Sequence, residues 1–118
     1  MKMKMNLNIL KNNQKYHWTN HVIQKMRYYG LSASRVIRLI RFPKRKQTGI
    51  APKTIAVMQS AGLNKSKHEI WAMYAVEPRT KKRIIISAWK YPGVSKKGQE
   101  IPIPDEIREE LSDFFANK

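Results

Sequence analysis

The sequence predicts an α+β fold, in which helices pack against an antiparallel β-sheet. Two segments near the N-terminus have apolar side chains at helical spacing, and three later segments have the apolar pattern of strands. The order helix, helix, strand, strand, strand, helix keeps the strands together along the chain. We therefore expect one domain over residues 1–118, with two N-terminal helices on a three- or four-stranded twisted antiparallel sheet and a C-terminal helix.

Local start and stop signals predict the first helix. Thr19 can cap it, because its hydroxyl can accept a backbone N–H that lacks a helical partner. Gly30 follows Tyr29 and supplies the left-handed conformation in which many helices end, so we expect the helix to run to about Tyr29. Residues 1–15 before it contain a short apolar patch among Asn and Lys, which fits either an edge strand or a partly ordered arm.

A second helix follows after a tight turn. Ser32 is its predicted cap. Its apolar stripe consists of Val36, Leu39 and Ile40. Pro43 ends the helix, since proline lacks the backbone N–H that another turn would need.

Three strands are expected after a basic loop at residues 43–53. Their predicted ranges are 54–59, 69–77 and 83–91. The middle strand is apolar on both faces, which is typical of a central strand. Residues 91–102 are rich in Gly, Pro and Lys and are predicted to form a loop. In the last strand, simple alternation puts Ile84, Ile86 and Ala88 on one face and Ile85, Ser87 and Trp89 on the other.

The C-terminal segment is predicted to be an acidic helix, residues 104–116. Pro104 suits the first helical position, and the carboxylates of Asp105 and Glu106 favour the first turn. Two arrangements fit this helix: it folds back over the basic part of the chain and competes with a nucleic acid, or it simply packs as a helix.

Net charge is the strongest functional signal. The chain has 24 Lys and Arg against 8 Asp and Glu, a formal net charge of +16 and a pI of about 10.4. Residues 1–99 contain 22 of these cations and only two carboxylates, Glu69 and Glu77. A basic body of this density needs a polyanion or counterions, and nucleic acid is the commonest such partner. The alternative is a solvated basic surface that maintains solubility.

Several classes of protein are disfavoured. The chain has no cysteine, so disulfide frameworks and thiolate zinc sites do not apply. Its apolar runs are too short to cross a membrane, and the opening MKMKM lacks the apolar core of a signal peptide. We therefore expect a cytoplasmic protein that does not interact with membranes.

Arginines form a stripe on the second predicted helix. Like charges at this spacing destabilise an isolated helix, so a partner should compensate them. A phosphate backbone can do so, with Arg donating forked hydrogen bonds and Lys acting as a point charge. A solvated face is the alternative interpretation. The candidate nucleic-acid-binding residues on this helix and just after it are Arg35, Arg38, Arg41, Lys44, Arg45 and Lys46.

Histidines four residues apart, His17 and His21, could share one face of a helix. A metal site would need more ligands, but the only other histidine is His68, and HWTNH lacks the glutamate of metallopeptidase helices. We therefore expect no metal ion and no cofactor. General acid–base chemistry on RNA is the functional interpretation, and two ordinary surface or interface histidines are the alternative.

Aromatic and cationic side chains alternate in SAWKYPG at the end of the last strand. Trp89, Lys90 and Tyr91 suit stacking on an unpaired base while a phosphate is held. Trp89 could equally belong to the core, which is a common position for tryptophan in an alternating strand.

Four stretches of the chain resemble the small α+β domains grouped with the RelE/ParE toxins: HWTNHVIQKMRYYGLSASRVIRLIRFPKR, TIAVMQ, EIWAMYAVE and RIIISAWKYPG. RIIISAWK is also similar to the closing strand of BrnT-type toxins. The resemblance covers about residues 16–93. It implies a twisted antiparallel sheet with two helices on one face, and metal-independent cleavage of mRNA, often at the ribosome. It also implies an acidic antitoxin protein as a partner.

The resemblance implies catalytic roles for four residues. His21 matches the opening histidine of the group and would be the base or acid, with Arg27 as a nearby charge stabiliser. Arg83 and Tyr91 match a phosphate-binding arginine and a late aromatic. Trp89 departs from the BrnT pattern, which has arginine there, and so removes one candidate phosphate ligand.

Three functions follow as expectations. The first is RNA binding with metal-independent endoribonuclease activity. The second is a non-catalytic module that binds ribosomal or structured RNA, or that lays its second helix in the major groove of DNA. The third is a toxin-like protein whose basic face pairs with an acidic protein.

Overall fold

A computed structural model describes residues 15–116, and the side chains of residues 15–112. The strands are β1 (Tyr16–Trp18), β2 (Arg45–Thr48), β3 (Thr54–Ala61), β4 (His68–Val76) and β5 (Arg83–Pro92). The α-helices are α1 (Asn20–Tyr29), α2 (Ala33–Arg41) and α3 (Asp105–Ala116). A short 3-10 turn, Asn64–Ser66, lies between β3 and β4. The α+β class predicted from the sequence is confirmed.

The strands form one mixed sheet in the order β1-β5-β4-β3-β2. Strands β2 to β5 are antiparallel neighbours, whereas β1 pairs in parallel with β5. Within the described residues, the sheet therefore has one more strand than the largest number expected, and one parallel pair.

Two strands, β1 and β2, are not evident from the apolar pattern. β1 has three residues, too few to show alternation, and it pairs with the first residues of β5. β2 lies within residues 43–53, where the sequence predicts a loop, and its four residues are all polar. Long-range backbone pairing, rather than local pattern, forms both strands. The predicted edge strand or arm at residues 1–15 lies, apart from Lys15, outside the described residues.

Both predicted helix caps are confirmed. The hydroxyls of Thr19 and Ser32 each accept the backbone N–H three residues later, at 3.1 Å. Gly30 has φ of 70° and ends α1 in the left-handed conformation. α2 ends at Arg41, two residues before Pro43.

Helices α1 and α2 cover one face of the sheet, which we call the helix face. Val22 and Met26 of α1 and Leu39 of α2 are fully buried there. They belong to one apolar cluster with Ile70 of β4 and Ile85 of β5. The two N-terminal helices thus share a single core with the central strands.

The opposite side, which we call the second face, is covered by α3 and the segment before it. Ile107 and Leu111 of α3 join a cluster with Trp71 and Trp89. The two indole rings lie 3° from parallel with centroids 6.1 Å apart. α3 begins at Asp105, one residue later than predicted. The acidic helix therefore packs on the face opposite α2, which is the second of the two arrangements left open by the sequence.

A β-bulge interrupts the pairing of β4 with β5. Met73 lies opposite Ser87 and Tyr74 opposite Ile85, which leaves Ile86 without a partner. The simple alternation predicted for this strand is therefore wrong beyond Ile86. Side chains share faces in the pairs Ile85 with Ala88, on the helix face, and Ile86 with Trp89, on the second face.

Candidate nucleic-acid interface

Gln59, at the end of β3, fixes the C-terminal end of α2. Its Nε2 donates to the carbonyl oxygens of Arg38 at 3.2 Å and Phe42 at 2.7 Å. Its Oε1 accepts a hydrogen bond from the Arg35 guanidinium. The Arg38 carbonyl also accepts the Phe42 N–H at 2.9 Å, so Gln59 adds a second hydrogen bond there and gives the Phe42 carbonyl, just beyond the helix, a partner.

Cations cluster around this helix end on the helix face. Lys44 is an exception: its Nζ donates to the Ser60 hydroxyl at 3.0 Å, and Ser60 lies two residues from Met58, whose side chain packs on the second face. Gln59 of β3 and Lys90 of β5 both pair with Ile70 of β4, which lies between them. Their Cα atoms are therefore about 10 Å apart, and their side chains point to the same face. Lys46 pairs with Val57, a residue of the helix-face core, and cross-strand partners point to the same face. We define the basic surface as Arg35, Arg38, Arg41, Lys46 and Lys90.

The charge of the basic surface is uncompensated within the described side chains. Among residues 15–112, the two ion pairs both end on Glu110, which lies on α3. Partial burial, and then the charge of Arg38, lower the pKa of Arg35 from its ordinary value. An arginine nevertheless stays charged at neutral pH. The cations of α2 therefore repel one another, and a bound polyanion would relieve that repulsion.

Besides Lys44, two of the predicted nucleic-acid-binding residues, Arg45 and Trp89, lie away from this surface. Arg45 faces the second face, with its guanidinium 5.2 Å from the centroid of the Trp71 ring. It also donates to the hydroxyl of Ser95 and to Oε1 of Gln47, both at 2.8 Å. Trp89 has 0% of its surface exposed and donates from Nε1 to a backbone carbonyl at 2.9 Å. Both side chains are engaged inside the protein, and Trp89 takes the core position that the sequence left open.

The four predicted catalytic residues are not brought together. Arg83 begins β5 and Tyr91 lies near its end, eight residues later, which is about 26 Å along an extended strand. Arg27 is exposed and follows His21 by six positions on α1, so the two side chains point about 120° apart around the helix. No single substrate phosphate can contact both ends of β5.

His21 joins three elements at the edge of β5, just beyond the point where β1 ends. Its Nε2 lies 2.9 Å from the Ser87 hydroxyl, and its Nδ1 lies 3.7 Å from Oε1 of Glu110. Lys25 contacts the same Glu110 oxygen at 2.9 Å. Serine, histidine and glutamate in this order resemble an activated nucleophile. Ser87 is 0% exposed, however, so its hydroxyl does not reach a substrate in this structure.

Burial lowers the pKa of His21 from its ordinary value of 6.5; Glu110 opposes this effect and Lys25 adds to it. Below pH about 6.5 the unfolded chain therefore takes up a proton at this position before the folded protein does. The contribution of His21 to stability is complete above that pH and is lost as the pH falls towards the folded-state pKa.

We expect the free energy of unfolding to fall between pH about 7.5 and about 5.5, and to fall less in His21→Gln. Urea unfolding at the two pH values measures both changes. His17→Gln, at an exposed position of β1, is the matched control and should behave like the wild type. Equal pH dependence in wild type and His21→Gln would contradict the prediction.

Sequence reasoning missed Glu69, which is 1% exposed on the second face. Its Oε1 accepts hydrogen bonds from Trp71 Nε1 at 3.0 Å and the Ser95 hydroxyl at 2.7 Å, and its Oε2 accepts the Ser95 N–H at 2.9 Å. Glu69 thereby ties the loop after β5 to the sheet. The available signal was the spacing of Glu69, Trp71 and Met73, since residues at alternate positions of a strand lie on one face. A carboxylate on the same strand face as two large apolar side chains indicates burial.

Phe42 was also missed, although it directly follows α2 beside Arg41 with 65% of its surface exposed. Its signal was an aromatic residue between cations in RFPKR, the same interleaving that is found in SAWKYPG.

The described residues do not form a metal site or a membrane-spanning helix. Across residues 15–116, no three histidine, aspartate or glutamate side chains are grouped so that they could hold a metal ion. None of the helices in this part of the chain has both the length and the apolar character needed to cross a membrane. Comparison of the chain with protein-family models, with curated proteins and with solved structures finds no match.

Proposed function

We propose that this protein binds RNA through the basic surface. The observation that supports this most strongly is the set of cations around the end of α2, which meets no carboxylate partner among residues 15–112. Each phosphate that such a surface neutralises releases condensed counterions, which drives binding.

The shape of the surface favours RNA over duplex DNA. α2 packs against the sheet through Val36, Leu39 and Ile40. The cations lie on the sheet beside the helix as well as on the helix itself, as Lys46 and Lys90 illustrate. Charge spread over such a surface suits a flexible strand, whereas reading a major groove requires a helix that enters it.

Endoribonuclease activity remains a prediction from the RelE/ParE resemblance. His21 is its acid–base candidate, and its two ring nitrogens face Ser87 and Glu110. One of these contacts would have to open before His21 could exchange a proton with RNA. We therefore put binding first and make cleavage an outcome of the same experiment.

The test compares two double variants that remove equal charge. Arg38→Ala/Arg41→Ala removes exposed cations of the basic surface, and Arg79→Ala/Lys82→Ala removes two from the β4–β5 turn, about 20 Å away along β4. Affinity for labelled single-stranded RNA is measured with excess chelator. The first variant should bind roughly 25-fold more weakly at about 0.1 M salt. Each phosphate contact contributes to the binding constant a factor of about the salt concentration to the power −0.7, which is about fivefold at this concentration, and the variant loses two contacts.

The control variant should bind within about twofold of wild type. Equal losses in the two variants would mean that the charge acts without a defined surface, and no binding by wild type would overturn the proposal. Gel analysis of the same samples, with His21→Ala alongside, detects cleavage. RNA cut by wild type and left intact by His21→Ala would add the ribonuclease activity to binding.

A further inference from the structure

Phe42 is an exposed aromatic residue at the end of an arginine-rich helix. It is 65% exposed, whereas phenylalanine is usually buried. The Arg41 guanidinium lies 5.7 Å from the ring centroid. Arg38, another exposed cation, lies one helical turn before Phe42 along the chain.

The backbone of Phe42 is held on both sides. Its N–H donates to the Arg38 carbonyl at 2.9 Å, and its carbonyl accepts from Gln59 at 2.7 Å. Pro43 follows with a restricted φ, and the N–H of Lys44 donates to the Met58 carbonyl at 2.8 Å. The ring therefore projects from a fixed point, which lowers the entropy lost when a ligand binds it.

We propose that Phe42 stacks on an unpaired base while Arg38 and Arg41 hold the neighbouring phosphates. This inference rests on the proposed RNA binding and adds that the ligand is single-stranded. Every base has a π-face that can stack on an aromatic ring, so the contact accepts any sequence. A duplex hides those faces between its base pairs and gains nothing from Phe42.

The experiment uses three probes of equal length: a single-stranded RNA, the same RNA as a duplex, and an abasic sugar-phosphate strand. Fluorescence anisotropy gives the affinity of wild type, Phe42→Leu and Phe42→Tyr for each. Leucine keeps the apolar character without a π-face, and tyrosine keeps the ring. Circular dichroism checks that the variants fold, as expected for an exposed position.

Wild type should prefer the single strand over the abasic strand by about tenfold, within the range expected for one stacked base. Phe42→Leu should lose that preference while its affinity for the abasic strand is unchanged, and Phe42→Tyr should retain it. A Phe42→Leu variant that keeps the preference, or that weakens equally towards both strands, would overturn the stacking role and leave RNA binding intact. Failure of wild type to bind any of the three probes would instead overturn the proposed function.

Discussion

Replacement of Trp89 by alanine is expected to lower the free energy of unfolding by about 3–5 kcal/mol, the range for a large aromatic core residue. The Trp89 ring is fully buried and stacks on Trp71 with centroids 6.1 Å apart. Its Nε1 donates to the Pro102 carbonyl at 2.9 Å, so the ring also attaches the segment before α3 to the sheet. Alanine leaves a cavity under that segment and an unpaired carbonyl. Guanidinium unfolding followed by circular dichroism measures the loss.

Trp89→Phe is the informative companion variant. It keeps most of the buried volume and loses the N–H donor, so its destabilisation should be smaller than that of alanine. Because the ring is buried, Trp89→Phe should bind RNA with the affinity of wild type, within about twofold. A loss of less than about 1 kcal/mol in Trp89→Ala would show that the ring is not a core element.

Replacement of Glu69 by alanine is expected to destabilise the fold by about 2–4 kcal/mol, since each buried donor left unpaired costs about 1–3 kcal/mol. The variant removes the acceptor of the Trp71 Nε1–H and of both donors of Ser95. It should also loosen the loop after β5 near Ser95, whose side chain is bonded to Glu69 and Arg45.

Glu69→Gln distinguishes the loss of a hydrogen-bond acceptor from the loss of side-chain volume. Its amide keeps one acceptor oxygen in nearly the same volume, so the loss of stability should be smaller than for alanine. Urea unfolding gives both free energies, and hydrogen exchange at the Ser95 amide reports the release of the loop. Wild-type stability and unchanged Ser95 exchange in Glu69→Ala would contradict this role.

Features set by a few neighbouring residues were predictable from the sequence. Thr19, Ser32 and Gly30 fix the ends of α1 and α2 by local hydrogen bonding and backbone conformation, and the structure confirms all three. The three apolar strands also lie within one or two residues of their predicted ranges. Their signal is the side-chain pattern itself, which needs no knowledge of the partner strand.

Features set by long-range pairing were not predictable. Residues 45–48 form β2 because β3 lies beside them, although their side chains are polar. Because side chains alternate along a strand, Arg45 points to the second face and Lys46 to the helix face. Cations that are adjacent in the sequence therefore lie on opposite faces of the sheet. The bulge at Ile86 changes the faces of the residues after it in the same way.

The candidate site was predictable to a similar extent. The arginine spacing of α2 identified Arg35, Arg38 and Arg41, because helical periodicity is a local property. The role of Gln59 depends on the packing of α2 over the end of β3, and the backbone of Phe42 is held by a hydrogen bond from Gln59. Neither could be read from one segment alone.

The salt dependence of wild-type affinity for single-stranded RNA tests the central claim most directly. Four or five phosphate contacts with the basic surface predict a slope of log K against log salt of about −3 to −3.5, since each contributes about −0.7. An affinity that does not change with salt, or no binding even at low salt, would contradict RNA binding by this surface.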